Sequence, residues 1–360
     1  MPQPEAGASC LSHLRKLCRK GSDRGKDKEE GIGQINRKMH TAICDLFDIE
    51  YPVIQGGMAW LGTAELASAV SEGGGLGLIG AGNAPPSWVR QQIRSTRERT
   101  TKPFGVNIML MSPFVAEIIE VILEEGVPIV TTGGGNPGVH IPRFKQAGLK
   151  VMPVVSSVAL AKRLERAGSD AFVAEGMESG GHIGETATMA LVPQVVDAVA
   201  VPVVAAGGIG DGRGLAAALS LGAQGVQMGT RFVCAEECVA HPRFKQKLLE
   251  ARDRATVATG YTTGHPVRCL ENRLTRQFMA MERDGASAAE LERFGEGRLE
   301  LGVIEGDLED GSLMAGQIAG LIKEIKPAAA IIREVVADAE RVIAKLNSLV
   351  LNPVLFEQSS

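Results

Sequence analysis

Glycine-rich runs and a few polar side chains follow short apolar segments throughout this sequence. Glycine lets a backbone approach a ligand closely, and exposed backbone amides donate to anions such as phosphate. Histidine exchanges a proton near neutral pH. The combination predicts a small-molecule site that binds an anion and transfers a proton. The runs are Gln55-Gly56-Gly57-Met58, Gly80-Ala81-Gly82-Asn83, Thr131-Thr132-Gly133-Gly134-Gly135-Asn136, Gly180-Gly181-His182, Gly207-Gly208-Ile209-Gly210-Asp211 and Gln227-Met228-Gly229-Thr230.

The segments that must position these residues alternate between strand-like and helix-like patterns. Several apolar runs are apolar at every position, which is typical of buried parallel strands. Eight such runs with helical patterns between them predict an α/β fold, a (β/α)8 TIM barrel; an open doubly wound sheet is the alternative. The runs are 51–55, 76–80, 104–109, 129–132, 151–155, 171–175, 201–205 and 225–228, and the helical patterns include 64–70, 116–125, 159–167 and 214–221.

The barrel hypothesis places every glycine-rich run at the carboxyl ends of the strands, where barrel enzymes have their active sites. The loops after strands seven and eight commonly bind a phosphate in such barrels. Here they contain Gly207-Gly208 and Gly229-Thr230, so we predict phosphate binding there; two tight turns are the alternative. Since no GxGxxG follows strand one, the pattern argues against a dinucleotide held in the Rossmann manner.

Composition divides the chain into four predicted segments. Residues 1–38 contain nine Lys/Arg against five Asp/Glu and few large apolar residues, which predicts a disordered extension. Residues 39–234 form the predicted barrel. Residues 235–320 are more polar and interrupt the alternation, which predicts a small helical subdomain after strand eight. Residues 321–360 contain an amphipathic helix, 327–347, that we expect to pack on the barrel.

Several functional classes are disfavoured by composition. The net charge of −4 and 4% aromatic residues argue against nucleic acid as a partner. The sequence has neither an apolar stretch of membrane-spanning length nor a secretory signal pattern, so we expect a cytoplasmic protein without a membrane partner. The six cysteines form no CxxC pair. Cys234, Cys238 and His241 supply three metal ligands at unusual spacing without a fourth, so no metal site is predicted.

Eight motifs together resemble the FMN-dependent enoyl-acyl-carrier-protein reductase II family, which belongs with the nitronate monooxygenase and 2-nitropropane dioxygenase flavoproteins. The resemblance runs from about residue 39 to about residue 321, and GNAP, NIMLMSPF and HPVRCLENRLTRQF favour the reductase branch. The motifs are IQGGMAW, GGLGLIGAGNAP, KPFGVNIML, IVTTGGGNP, AEGMESGGHIG, PVVAAGGIGDG, VQMGTRF and GDLEDGSLMAGQIAGL.

The resemblance implies FMN at the barrel mouth, with Gly57 and Met58 along the flavin ring and Asn107 at its polar edge. Glu175 stands near the flavin, where the oxygenase branch has Gln. His182 matches the family's active-site histidine, whereas the other five histidines, including His265, are interpreted as structural. The predicted cofactor-binding residues are Gly56, Gly57, Met58, Asn107, Thr132, Glu175, Gly180, Gly181, Gly207, Gly208, Gln227, Met228, Gly229 and Thr230.

The resulting functional hypothesis is reduction of trans-2-enoyl-acyl-carrier-protein thioesters in fatty-acid elongation, with NADH or NADPH as hydride donor. Family resemblance also implies acyl carrier protein as the partner, a homodimer and a monovalent cation activator. Three alternatives remain open: a nitronate monooxygenase that uses FMN and oxygen, an NAD(P)H:quinone reductase, and a flavin-binding protein without catalytic activity.

Overall fold

A computed structural model describes residues 39–350, and of residue 350 the backbone alone. The predicted extension, residues 1–38, and the terminal residues 351–360 lie outside this range. The strands, in chain order, are β1 Val53–Gln55, β2 Gly77–Gly80, β3 Phe104–Met109, β4 Ile129–Gly133, β5 Lys150–Val155, β6 Phe172–Glu175, β7 Gly181–His182, β8 Val203–Ala206, β9 Gly225–Met228, β10 Thr256–Thr259 and β11 Val267–Leu270.

Eight of these strands form one parallel sheet that curls into a barrel. The order is β1-β9-β8-β6-β5-β4-β3-β2, and a parallel bridge between Ile54 and Leu76 brings the first strand back beside the second. This closure confirms the predicted (β/α)8 barrel and excludes the open doubly wound sheet, because an open sheet would leave β1 and β2 apart as edges. All eight strands overlap the predicted apolar runs.

Side chains of each barrel strand alternate between two buried layers, as the strand period of two requires. One layer fills the barrel interior and contains Ile54, Leu78 and Val204. The other lies between strands and helices and contains Val53, Ile79 and Val203. The alternation decides which residues at the carboxyl end of a strand face the mouth of the barrel.

Helices cover the barrel from outside. The longest described helix, α14, packs against α8 and α2 and therefore takes the position of the eighth barrel helix. The helices are α1 Ala42–Phe47, α2 Ala64–Glu72, α3 Pro86–Arg99, α4 Val115–Glu124, α5 Ile141–Gln146, α6 Val158–Arg166, α7 Thr188–Val196, α8 Gly212–Ser220, α9 Thr230–Val233, α10 Pro242–Leu249, α11 Arg273–Arg283, α12 Ala288–Gly295, α13 Arg298–Val303 and α14 Ala328–Val350.

The segment between strand β9 and helix α14 is thus an insertion within the last βα unit of the barrel. Besides α10–α13 it contains β10 and β11, which the sequence analysis did not predict. These strands pair antiparallel with each other, and β11 also pairs with β7 from the barrel loop. Because β7 lies more than 80 positions earlier in the chain, local periodicity gives no signal for this sheet.

Asn272 fixes the start of helix α11 within the insertion. Its side-chain Oδ1 accepts from the Thr275 amide at 3.0 Å, and its Nδ2 donates to the carbonyls of Leu308 and Gly311 at 2.9 and 2.8 Å. The residue is 2% exposed.

Replacement of Asn272 by alanine removes the cap and leaves buried backbone groups unpaired, so we expect a loss of about 2 kcal/mol. Urea unfolding measures the change. Ser287 caps the neighbouring helix α12 at the exposed surface, so Ser287→Ala, as a matched control, is expected to cost less. Equal losses of unfolding free energy in the two variants would show that the burial of Asn272 does not strengthen its cap.

None of the helices within residues 39–350 is long and apolar enough to span a bilayer. In the same range, no group of three or more His, Cys, Asp or Glu side chains is arranged to hold a metal ion.

Candidate active site

A cavity of about 1120 Å³ opens at the carboxyl ends of the barrel strands and extends beneath the insertion. This size suits a cofactor-sized ligand together with part of a substrate. The predicted site residues that line it are Gly56, Gly57, Met58, Asn107, Glu175, Gly180, Gly181, His182, Gly207, Gly208, Gln227, Met228, Gly229 and Thr230. Residues at the carboxyl ends of five barrel strands therefore converge on one space.

Thr132 is the predicted site residue that the structure does not bring to the cavity. It pairs with Ile108, whose side chain belongs to the layer between strands and helices. By strand alternation the preceding residue, Thr131, faces the interior instead. The TTGGGN run alone does not fix which of two adjacent threonines points inward, so the sequence could not distinguish Thr131 from Thr132.

The loops after β8 and β9 form a cradle of backbone amides. Gly207 and Gly208 adopt positive φ angles of 87° and 71°, a conformation that other L-residues rarely adopt. Within the described range, the amides of Gly208, Gly229 and Thr230 form no backbone hydrogen bond. The Thr230 hydroxyl accepts from the Gly316 amide at 2.9 Å and retains its own proton for donation. Such a set of free donors fits a phosphate.

After strand β1, a glycine backbone lies directly against an amide side chain. A Cβ atom on Gly57 would stand 2.2 Å from the Cβ of Asn107, so only glycine allows this approach. The Oδ1 atom of Asn107 accepts from the Thr131 hydroxyl at 2.9 Å. This bond orients the Asn107 amide and leaves Nδ2 free to donate to a ligand in the cavity.

Glu175 ends strand β6 on the face that points into the barrel mouth. Burial raises the pKa of this carboxyl to about 7, and the nearby Ser179 hydroxyl opposes the shift. Among residues 39–350, the Ser179 hydroxyl is the one side-chain group that acts on the pKa of Glu175, through a hydrogen bond to the carboxyl. Near neutral pH the carboxyl is therefore divided between an acid that donates and a carboxylate that accepts.

His182 lies on β7, opposite Val267 of the insertion. Burial lowers the pKa of His182, and the nearby His265 lowers it further, so the imidazole is neutral at pH 7. Its ring nitrogens form no hydrogen bond with any residue in the range 39–350. A neutral imidazole with free nitrogens inside a cavity can donate to a polarised oxygen or pass on a proton.

Sequence reasoning missed one wall of the cavity. His265, Val267 and Cys269 line it from the insertion, together with apolar residues of helices α11 to α13 such as Leu274 and Phe278. The sequence interpreted His265 as structural, and the structure places it on the cavity wall near His182. This wall could not be predicted from the sequence, because the pairing of β11 with β7 that brings it to the cavity joins distant parts of the chain.

Comparisons with known proteins indicate the family to which this chain belongs. The family model for nitronate monooxygenase matches residues 40–120 and 112–338. A (3aS,4S,5R,7aS)-5-hydroxy-7a-methyl-1-oxo-octahydro-1H-indene-4-carboxyl-CoA dehydrogenase of Mycobacterium tuberculosis is 33% identical over 342 residues, 84% of this chain and 96% of the relative. A probable nitronate monooxygenase of Staphylococcus saprophyticus is 37% identical, covering 65% of this chain and 79% of the relative.

Among solved structures, FabK from Thermotoga maritima is 50% identical with a TM-score of 0.84, and the match covers 86% of this chain and 99% of that one. The nitroalkane oxidase from Streptomyces ansochromogenes is 29% identical with a TM-score of 0.75, covering 84% and 99%. Both solved structures share the fold of this chain over most of its length. The chain is a member of the nitronate monooxygenase family of oxidoreductases.

Proposed function

We propose that this protein is a flavin-dependent enoyl reductase, which uses NADH or NADPH to reduce the trans-2 double bond of enoyl-acyl-carrier-protein thioesters through FMN. The observation that carries the proposal is the 50% identity with FabK over 86% of the chain. The identity with the nitronate monooxygenase relative is lower, 37% over 65% of the chain. The motifs GNAP, NIMLMSPF and HPVRCLENRLTRQF support the same branch.

The described residues fit FMN. The free amides of Gly208, Gly229 and Thr230 suit its phosphate. Gly57 has no side chain, so the flavin ring can lie against its backbone. The Nδ2 of Asn107 can donate to the polar edge of the ring. When bound, FMN accepts a hydride from the nicotinamide and passes one to the substrate.

His182 then acts on the thioester. As a hydride reaches the β-carbon, negative charge develops on the thioester oxygen, and a donor aimed at that oxygen lowers the barrier. His182 has a free N–H inside the cavity, so we assign it this donation and the delivery of the α-proton. The family resemblance further supports a homodimer, a monovalent cation activator and a cytoplasmic acyl carrier protein as the source of substrate.

An anaerobic visible spectrum tests the proposal. NADH or NADPH is added to the purified protein, followed by a crotonyl thioester. Bleaching of the flavin band by the nicotinamide and its return with the thioester are expected. If a nitronate bleaches the flavin and neither nicotinamide does, the protein is a nitronate monooxygenase, the second candidate that the family model favours. Return of the band with a quinone but not with the thioester would identify a quinone reductase.

Gly57→Ala is expected to weaken FMN binding roughly tenfold, a loss of about 1.4 kcal/mol. The new methyl group would collide with Asn107 and push its amide away from Thr131. The adjacent variant Gly56→Ala is the comparison, because a Cβ there meets Gln227 at an ordinary 3.4 Å. Flavin fluorescence during ultrafiltration gives both affinities. Similar losses of FMN affinity in the two variants would show that the contact between residue 57 and Asn107 does not control FMN binding.

A further inference from the structure

His182 lies on β7 of the small antiparallel sheet, and His265 precedes β11 by two residues. Val267 stands opposite His182, and the Ile183 amide donates to the Pro266 carbonyl at 2.9 Å, so the ladder continues toward the loop. By this register, residue 265 stands opposite Gly184, which has no side chain. Since alternate residues share a face, His265 is the diagonal neighbour of His182, with Cβ atoms about 7 Å apart.

The lining of the cavity supports this assignment of faces. His265, Val267 and Cys269 all line the cavity, whereas Arg268 donates away from it to the Met177 carbonyl at 3.1 Å. His265 is exposed to solvent, and His182 is half-buried. Both imidazoles line the same cavity, so His265 is the one of the two that solvent reaches more readily.

The loop that carries His265 is held in place by helix α11. The Glu282 carboxylate accepts from the Gly260 amide at 3.0 Å, from the Thr262 amide at 3.1 Å and from the Thr262 hydroxyl at 3.0 Å. The His265 amide donates to the Thr263 hydroxyl at 3.2 Å. With its backbone fixed, His265 keeps its place relative to His182.

We propose that His265 relays a solvent proton to His182, an inference that rests on the enoyl reductase function. Each turnover adds a hydride to the β-carbon and a proton to the α-carbon. The N–H bond of His182 breaks as the α-carbon C–H bond forms. The second ring nitrogen of His182 takes a proton from one ring nitrogen of His265, directly or through one water molecule, and solvent returns a proton to the other ring nitrogen of His265. NAD(P)H supplies the hydride, so electrons and protons balance.

Other ionisable groups of the cavity are less suited to this task. Glu178 is engaged by the Thr188 amide and hydroxyl, and Glu175 lies inside the barrel mouth. The charged residues of α12 and α13, among them Glu292, Arg293 and Arg298, line the outer part without sharing the sheet face of His182. An imidazole accepts a proton at one nitrogen while it donates from the other, which suits a relay.

Stopped-flow reoxidation of the NADH-reduced holoenzyme by crotonyl-CoA tests the relay. In His265→Ala, the reoxidation rate at saturating thioester is expected to fall at least tenfold. Flavin content and the rate of flavin reduction by NADH should stay within twofold of the wild type. Imidazole in solution should restore much of the lost rate. His265→Asn, which keeps a polar side chain of similar size, should show the same loss. His40→Ala removes an exposed imidazole that pairs with Asp45 and is the control.

The outcomes separate the relay from its alternatives. An unchanged rate in His265→Ala overturns it, as does an increase in the thioester KM alone, which would make His265 a contact for the carrier arm. Loss of flavin together with the rate would show a structural role and also overturn it. If the wild type itself fails to reoxidise with crotonyl-CoA but reacts with a nitronate, the proposed function fails and the relay with it.

Discussion

His182→Ala is expected to lower the rate of enoyl thioester reduction at least 100-fold while flavin content stays near that of the wild type. A single donor aimed at a developing oxyanion contributes about 3 kcal/mol to lowering the barrier. His182 is suited to this role because it is half-buried, forms no hydrogen bond with residues 39–350 and, with a lowered pKa, is neutral at pH 7. The cradle for the phosphate lies on other loops, so binding of FMN should survive.

Single-turnover reoxidation of reduced flavin measures the chemical step, and absorbance after gel filtration measures flavin content. His140→Ala is the matched control, because that imidazole packs near Phe144 outside the cavity lining. Parallel loss of flavin and activity in His182→Ala would assign the residue to structure. His182→Gln keeps a donor and should recover part of the lost rate.

Glu175→Gln is expected to stabilise flavin-depleted protein at alkaline pH by up to about 3 kcal/mol. Burial raises the pKa of Glu175 from 4.5 to about 7, and each pKa unit corresponds to about 1.4 kcal/mol. Because the folded pKa lies above the unfolded one, the folded protein holds this proton more tightly. The associated stability is complete below pH 4.5 and is lost as the pH rises through 7. Glutamine stays neutral and has no such loss.

Urea unfolding of both proteins between pH 4.5 and pH 8 gives the difference. The stability advantage of Glu175→Gln should be near zero at pH 4.5 and should grow with pH until it levels off above 7. A constant difference across this range would show that Glu175 titrates normally. Glu178→Gln is the contrast, since Glu178 accepts hydrogen bonds from Thr188 and should lose stability instead.

The barrel and its mouth could be predicted from local sequence because both leave local signals. Buried parallel strands appear as continuous apolar runs, such as Phe104–Met109, and the loops at their carboxyl ends contain glycine. Chain order then places the loops at one end of the barrel, which is why the predicted residues from Gly56 to Thr230 meet around one cavity, Thr132 excepted.

The features that sequence analysis missed depend on register or on distant pairing. The inward orientation of Thr131 rather than Thr132 follows from the pairing of β4 with β3. The position of His265 on the cavity wall depends on the pairing of β11 with β7, whose residues stand far earlier in the chain. Such pairings are set by tertiary packing, and short strands like Val267–Leu270 have no periodicity long enough to identify.

The insertion leaves and rejoins the barrel at adjacent points. Ala235 forms a parallel bridge with Lys326, the Lys326 amide donates to the Cys234 carbonyl, and Glu236 donates back to Lys326. The entropy of closing this loop grows slowly with its length, so the barrel tolerates a long or short segment here. The two junctions of the insertion therefore stand side by side on the barrel, and its length can change without moving the strands. The insertion still contacts the barrel mouth, because the Gly316 amide donates to the Thr230 hydroxyl and β11 pairs with β7.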